Sequence, residues 1–186
     1  MRIIAGALKG RRLKPPSWEG LRPTSDKLRE TLFNILAARI ADARVLDLYA
    51  GTGAVGIEAL SRGAAHVTFI DADRRAQALI EENLTHCGVA EGYAIIRASV
   101  AHGLERLREQ RAFDIIVLDP PYAIGNSDEV DGVLAAAADV MAPEGVLILE
   151  HARKQHAPET AGQLVRSREV PSGDSTLAFY KVKGRS

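Results

Sequence analysis

From residue 44 to residue 150, short apolar runs alternate with stretches of helical periodicity, and this rhythm leaves few architectures open. The runs 44–48, 66–70, 93–97, 113–118 and 145–150 suit buried strands. Helices are expected over 54–62, 74–87, 100–109 and 129–141. Strand–helix repetition at this pitch implies an α/β fold whose mostly parallel sheet is covered by helices on both faces. After residue 150 the rhythm breaks. Two strand-like runs, 163–170 and 176–182, flank the turn Pro171-Ser172-Gly173-Asp174 with no helix between them, so an antiparallel hairpin is expected at the sheet edge.

The formal net charge is zero, but it is unevenly spread. Residues 1–22 carry Arg2, Lys9, Arg11, Arg12, Lys14 and Arg22 against Glu19 alone, a net +5, which leaves −5 for the rest. A basic lobe on a mildly acidic body suits docking of a polyanion at one end. The alternation Arg2-Ile3-Ile4-Ala5-Gly6 and Arg12-Leu13-Lys14 around Lys9-Gly10 favours a small β-hairpin over a solvated arm. Pro15-Pro16 and Gly20 mark a loop. Pro23-Thr24-Ser25-Asp26 then opens a helix capped by Thr24 or Ser25, with Leu28, Leu32, Ile35 and Leu36 toward the core. Two regions are expected: a basic hairpin extension over 1–24 and a catalytic domain over 25–186.

The segment Asp47-Leu48-Tyr49-Ala50-Gly51-Thr52-Gly53-Ala54-Val55-Gly56 follows the first strand. In open α/β sheets ligands bind beyond the carboxyl ends of the strands. Gly51 and Gly53 permit a tight turn and close approach of a ligand, and the following helix start offers free N–H groups. The string also fits a dinucleotide fingerprint. Asp47 tips the balance, because an acid there can reach a cationic ammonium group, which S-adenosylmethionine has and a pyrophosphate lacks. Asp71, at the second strand end, can accept both ribose hydroxyls. Ser99, at the third, either meets the adenine amino group or caps the next helix.

Asp119-Pro120-Pro121-Tyr122 follows the buried run 113–118. A residue before proline is pushed to extended geometry, and proline has no N–H to fold back into a ladder. The loop therefore presents two acceptors, the Asp119 carboxylate and the Pro120 carbonyl. An aromatic amine has a delocalised lone pair and is a poor nucleophile. Two acceptors on its hydrogens favour the pyramidal form, an effect expressed mainly in the transition state. Tyr122 would stack on a base turned out of its helix. This pattern points to methyl transfer onto an exocyclic amine.

These residues resemble the class I S-adenosylmethionine-dependent methyltransferases acting on amino nitrogens. Arg2-Ile3-Ile4-Ala5-Gly6, Lys9-Gly10-Arg11, Leu21-Arg22-Pro23-Thr24 and Arg29-Glu30-Thr31-Leu32-Phe33-Asn34 narrow the resemblance. They are similar to the bacterial 16S rRNA guanine-N2 methyltransferase family that modifies guanine 966, and Leu46–Gly53 and Gly56–Ala64 fit it as well. The resemblance implies a seven-stranded Rossmann-like sheet with an N-terminal hairpin. The implied catalytic loop is Asp119, Pro120, Pro121 and Tyr122. Cofactor contacts are expected from Asp47, Tyr49, Ala50, Gly51 and Gly53, then from Asp71, Ala72, Ser99 and Val100, and from Asp119. RNA contacts are expected from Arg2, Lys9, Arg11 and Arg12 on the hairpin, and from Arg22, Thr24 and Arg29 at the approach to the site. Ser99 departs from the acid that many methyltransferases place near the adenine. The implied partner is 16S rRNA, in the small ribosomal subunit or its assembly intermediate, acted on by a monomer.

A DNA adenine-N6 methyltransferase would use the same tetrapeptide, but such enzymes carry extra mass to read the major groove, and this chain has no such insertion. A protein-glutamine methyltransferase usually has Asn before the prolines. A non-catalytic RNA-binding module would not need both Asp119 and the glycine cradle. Five histidines without ligand spacing argue against a metal site. A single cysteine, Cys87, and an N-terminus lacking a long apolar stretch fit a cytoplasmic protein with no membrane segment.

Overall fold

The computed structural model describes residues 1–18, 24–110, 112–121 and 127–184. The expected contributions of Arg22, Pro23 and Tyr122 lie outside the described residues. Helix α1 (Asp26–Ile35) is followed by β1 (Arg44–Leu48), α2 (Ala54–Ser61), β2 (His66–Asp71), α3 (Arg74–His86), β3 (Tyr93–Arg97), α4 (Val100–Leu107), β4 (Phe113–Leu118) and α5 (Ser127–Val140). Then come β5 (Met141–Ala152), β6 (Thr160–Ala161), β7 (Leu164–Ser172) and β8 (Ser175–Val182). The sheet order is β3-β2-β1-β4-β5-β8-β7-β6, parallel from β3 through β5 and antiparallel from there on.

Alternation along each strand divides the core into two layers. Val45, Val67, Phe69, Ile115, Val117 and Ile148 face α1, α2 and α3. Leu46, Leu48, Ile70, Ile116, Leu118 and Leu149 face α4 and α5. Two helix glycines set how closely the layers approach: a Cβ on Gly56 would stand 2.2 Å from the Phe69 ring, and one on Gly103 2.6 Å from Ile70 Cδ1.

Among the described residues the sheet has eight strands rather than the expected seven. The extra one, β6, is two residues long, too short to show periodicity. Accordingly the C-terminal hairpin is not the sheet edge: β8 inserts between β5 and β7, and β6 is outermost. The hairpin turn is tighter than expected, since Ser172 pairs with Ser175 and Gly173 takes the left-handed conformation at φ 63°. Strand β5 begins four residues early because Met141 pairs with Phe113. The chain then bulges before Val146 pairs with Ile115, where the regular strand begins.

The N-terminal segment is a hairpin. Arg2 bridges Arg12, and the Ile3 and Gly10 amides donate to Arg11 O and Ile3 O, both at 2.9 Å. Its Ile3 and Leu13 are buried in the layer with α2 and α3. Glu58 receives the Ile4 and Ala5 amides at 2.7 and 3.0 Å, and Ser61 Oγ receives Leu8 N–H at 2.9 Å. Gly6 is required at this contact, because its φ is +83° and a Cβ there would lie 1.8 Å from Ser61 O.

Candidate active site

The sheet order reverses between β1 and β4, and a cavity of about 760 Å³ opens there over the carboxyl ends of the strands. On its β1 side the chain turns through Tyr49, Gly51 and Gly53, all left-handed, at φ 58°, 55° and 75°. A left-handed tyrosine is uncommon and marks a local constraint. Gly51 N–H donates to Asp71 Oδ2 and Asp73 N–H to Asp71 Oδ1, both at 2.8 Å, so the β2-end acid braces the glycine turn while it lines the cavity. Asn83 Nδ2 donates to Thr52 O at 3.0 Å, and Asn83 Oδ1 accepts Lys14 N–H at 2.7 Å, which ties the turn to the hairpin.

Asp47 is 2% exposed, and its Oδ2 accepts the otherwise orphaned Gly56 N–H of the first turn of α2 at 2.9 Å. Burial pushes its carboxyl up to about 8; the Gly56 amide opposes this and the Asp71 charge adds to it. The acid still borders the cavity.

Across the reversal, Asp119, Pro120 and Pro121 form the opposite wall. Thr24, just before α1, donates its hydroxyl to Asp119 Oδ2 at 3.0 Å, while Ser25 caps the helix by accepting Leu28 N–H. Burial drives the Asp119 carboxyl well above the usual carboxylate range, helped by the charge of the neighbouring Glu150 and by a hydrogen bond to its side chain, and opposed by Thr24. Glu150, two residues before the end of β5, is 7% exposed and accepts Ser175 Oγ–H at 2.9 Å. The β7–β8 turn, through Ser172 and Asp174, closes the far side. At the mouth, Trp18 lies under Arg75, whose guanidinium carbon is 5.0 Å from the ring centroid.

The cavity thus joins Asp47, Tyr49, Ala50, Gly51 and Asp71 to Asp119 and Pro120. It does not reach Gly53, Ala72, Ser99 or Val100. Gly53 sits at the N-cap of α2, and Val100 is buried in the core. Ser99 takes the capping role: its Oγ accepts His102 N–H and lies 2.9 Å from His102 Nδ1. Glu150, Ser175, Trp18 and Asp174 escaped sequence reasoning. Glu150, Ser175 and Asp174 come from the last strands of the chain and their turns and Trp18 from the segment before α1, and only Glu150, the last polar residue of an apolar run, carried any local signal.

The RNA contact expected from Arg29 is corrected by the structure. Its side chain is 0% exposed, because the helix period places it beside Leu28, Leu32 and Phe33 on the inward face. Its Nη2 donates to Arg2 O at 2.6 Å and Asp26 Oδ1 at 2.9 Å, so it fastens the hairpin to α1. Burial lowers its pKa. Arg2, Lys9, Arg11 and Arg12 are exposed, with Arg11 donating to Cys87 O.

The family model described as "Conserved hypothetical protein 95" matches residues 1–181. The chain belongs to this family. Ribosomal RNA small subunit methyltransferase D of Escherichia coli K12 is 34% identical over 182 residues, spanning 97% of this chain and 89% of the relative. The protein of the same name from Haemophilus influenzae is 38% identical over 135 residues, 72% of this chain and 70% of the relative. A solved structure of a hypothetical protein from Thermus thermophilus superposes with TM-score 0.83 at 28% identity, covering 98% of this chain and 99% of that one.

Proposed function

We propose that this family member transfers a methyl group from S-adenosylmethionine to the exocyclic N2 of a guanine in 16S rRNA, at a position of the guanine-966 type. The observation that carries the reading is Asp119, held by Thr24 on the wall of the same cavity that Gly51 and Asp71 line. The full-length likeness to small-subunit rRNA methyltransferases supports the substrate class.

The cavity fits the cofactor. Each oxygen of Asp71 holds one backbone N–H and retains a lone pair for a ribose hydroxyl. Asp47, Asp119 and Glu150 share one wall-to-wall space, which favours a cationic ligand. When bound, S-adenosylmethionine supplies a methyl carbon on a positively charged sulfur. Asp71 and the Tyr49–Gly51 turn would hold the cofactor, and Asp47 would meet its ammonium group. Asp119 and the Pro120 carbonyl accept the two N2 hydrogens, and Asp119 takes the proton that N2 sheds on methylation. Desolvation makes these acceptors stronger than they would be in water. The hairpin residues Arg2, Lys9, Arg11 and Arg12, together with Arg22, meet RNA phosphates as shape-based contacts. The protein acts as a monomer on the subunit or its assembly intermediate.

The test is methyl transfer from isotopically labelled S-adenosylmethionine to small subunits purified from cells lacking the protein. Label recovered as N2-methylguanosine is the expected result. Label recovered only on an adenine or on protein would refute the reading.

A further inference from the structure

The cavity holds one buried acid that methyl transfer itself does not require. Asp119 and Pro120 suffice to grip the amine, yet Glu150 borders the same space. Strands β4 and β5 run parallel with Leu118 beside Leu149, so Asp119 and Glu150 emerge side by side at the carboxyl edge. In the sheet order β2-β1-β4-β5, Glu150 stands on the side of Asp119 away from the glycine turn, where the target base rather than the cofactor belongs. Ser175, reaching over from β8, orients the carboxyl through its 2.9 Å bond to Oε1.

We propose that Glu150, oriented by Ser175, is the specificity-determining residue that accepts the ring N1–H next to the target amine. Guanine carries that N–H; adenine, cytosine and 2-aminopurine place an acceptor lone pair there. The proposal rests on the guanine-N2 reading and adds how the base is chosen. Asp119 takes hydrogens of N2, and Glu150, one strand further on, takes the neighbouring N1–H. Glu150 also shares a hydrogen bond with the Asp119 side chain, so the two carboxyls already stand within reach of adjacent donors; the N1–H takes the place of that bond while the Ser175 bond stays. Against an acceptor lone pair the same buried carboxylate meets repulsion and a lost hydrogen bond. Sites built around a substrate N–H reject analogues lacking it far more strongly than sites that sense size alone.

The experiment uses small subunits reconstituted with either guanine or 2-aminopurine at the methylated nucleotide. 2-Aminopurine keeps the N2 amine and loses only the N1–H and the O6. The wild type is expected to favour guanine by at least about 100-fold in kcat/KM. In Glu150→Gln the amide can turn its oxygen to an N–H or its NH2 to a lone pair, so the preference should fall below about 10-fold. Each preference is a ratio within one protein, so partial loss of folded enzyme cancels. Should Glu150→Gln fail to fold, Ser175→Ala, which loosens the carboxyl, should still lower the preference several-fold. An unchanged guanine preference in either folded variant overturns the proposal. A wild type that methylates neither substrate refutes the guanine-N2 reading instead.

Discussion

Replacing Asp47 with Asn tests whether the cavity strains the fold by holding an acid out of water. The side chain is 2% exposed and its carboxyl is pushed up to about 8 from 3.8. The folded state therefore keeps this proton over a range in which the unfolded chain has lost it. Both states hold the proton well below pH 4 and both have lost it well above pH 8; between those limits stability falls as pH rises. The cost is near zero at pH 4 and reaches about 4 kcal/mol at pH 7, at about 1.4 kcal/mol per pH unit. Asn keeps an oxygen for the Gly56 amide and never ionises. Asp119, whose carboxyl is also raised, borders the same space, so the informative quantity is the difference between the two proteins, not either profile alone. Urea unfolding of the ligand-free proteins followed by circular dichroism at pH 5, 6, 7 and 8 should show Asp47→Asn gaining on the wild type by about 1.4 kcal/mol per unit up to pH 7. In melting temperature the gap should widen by about 3–6 °C per unit. A stability difference that does not change with pH would refute the reasoning.

Asp71→Ala removes both the brace on Gly51 and the proposed ribose acceptor; calorimetric titration should show the dissociation constant for S-adenosylmethionine rising by about 10- to 100-fold. Unchanged affinity would remove Asp71 from the cofactor site. Arg11→Ala with Arg12→Ala should weaken binding to small-subunit RNA and reduce the slope of log K against log salt by about 2, one for each phosphate no longer neutralised. An identical slope would take the hairpin out of the RNA footprint. Because Arg11 also donates to Cys87 O, thermal melting should accompany that measurement. Binding of the cationic cofactor beside Asp47, whose carboxyl burial pushes up to about 8, should release protons at pH 7, read as a buffer-dependent calorimetric enthalpy. An enthalpy independent of the buffer would contradict this.

The layered sheet was legible because each parallel strand is apolar on both faces, which leaves strand limits such as Arg44–Leu48 and Phe113–Leu118 clear in the residue order. The glycine turn and the Asp119-Pro120-Pro121 corner were legible for a different reason: glycine and proline act on their own backbone, so their meaning is local. What escaped was set by distant partners. Strand β6 exists only because β7 offers it an edge. Arg29 reads as an exposed cation until helical phase and the Arg2 carbonyl draw it inside. Glu150 reads as the polar end of a strand until Ser175, twenty-five residues later, fixes it against the cavity. The basic hairpin was visible in its charge, but not the Glu58 and Asn83 contacts that make it part of the core.

The central claim, that the Asp119 corner methylates a guanine amine of the small-subunit RNA, is tested most directly in cells. Nucleoside mass spectrometry should be run on 16S rRNA from a strain lacking the protein, complemented with either the wild type or Asp119→Ala. The expected result is loss of N2-methylguanosine at one position, restored by the wild type and not by Asp119→Ala, with both proteins binding S-adenosylmethionine alike. Restoration of the modification by Asp119→Ala, or its persistence without the protein, would contradict the claim.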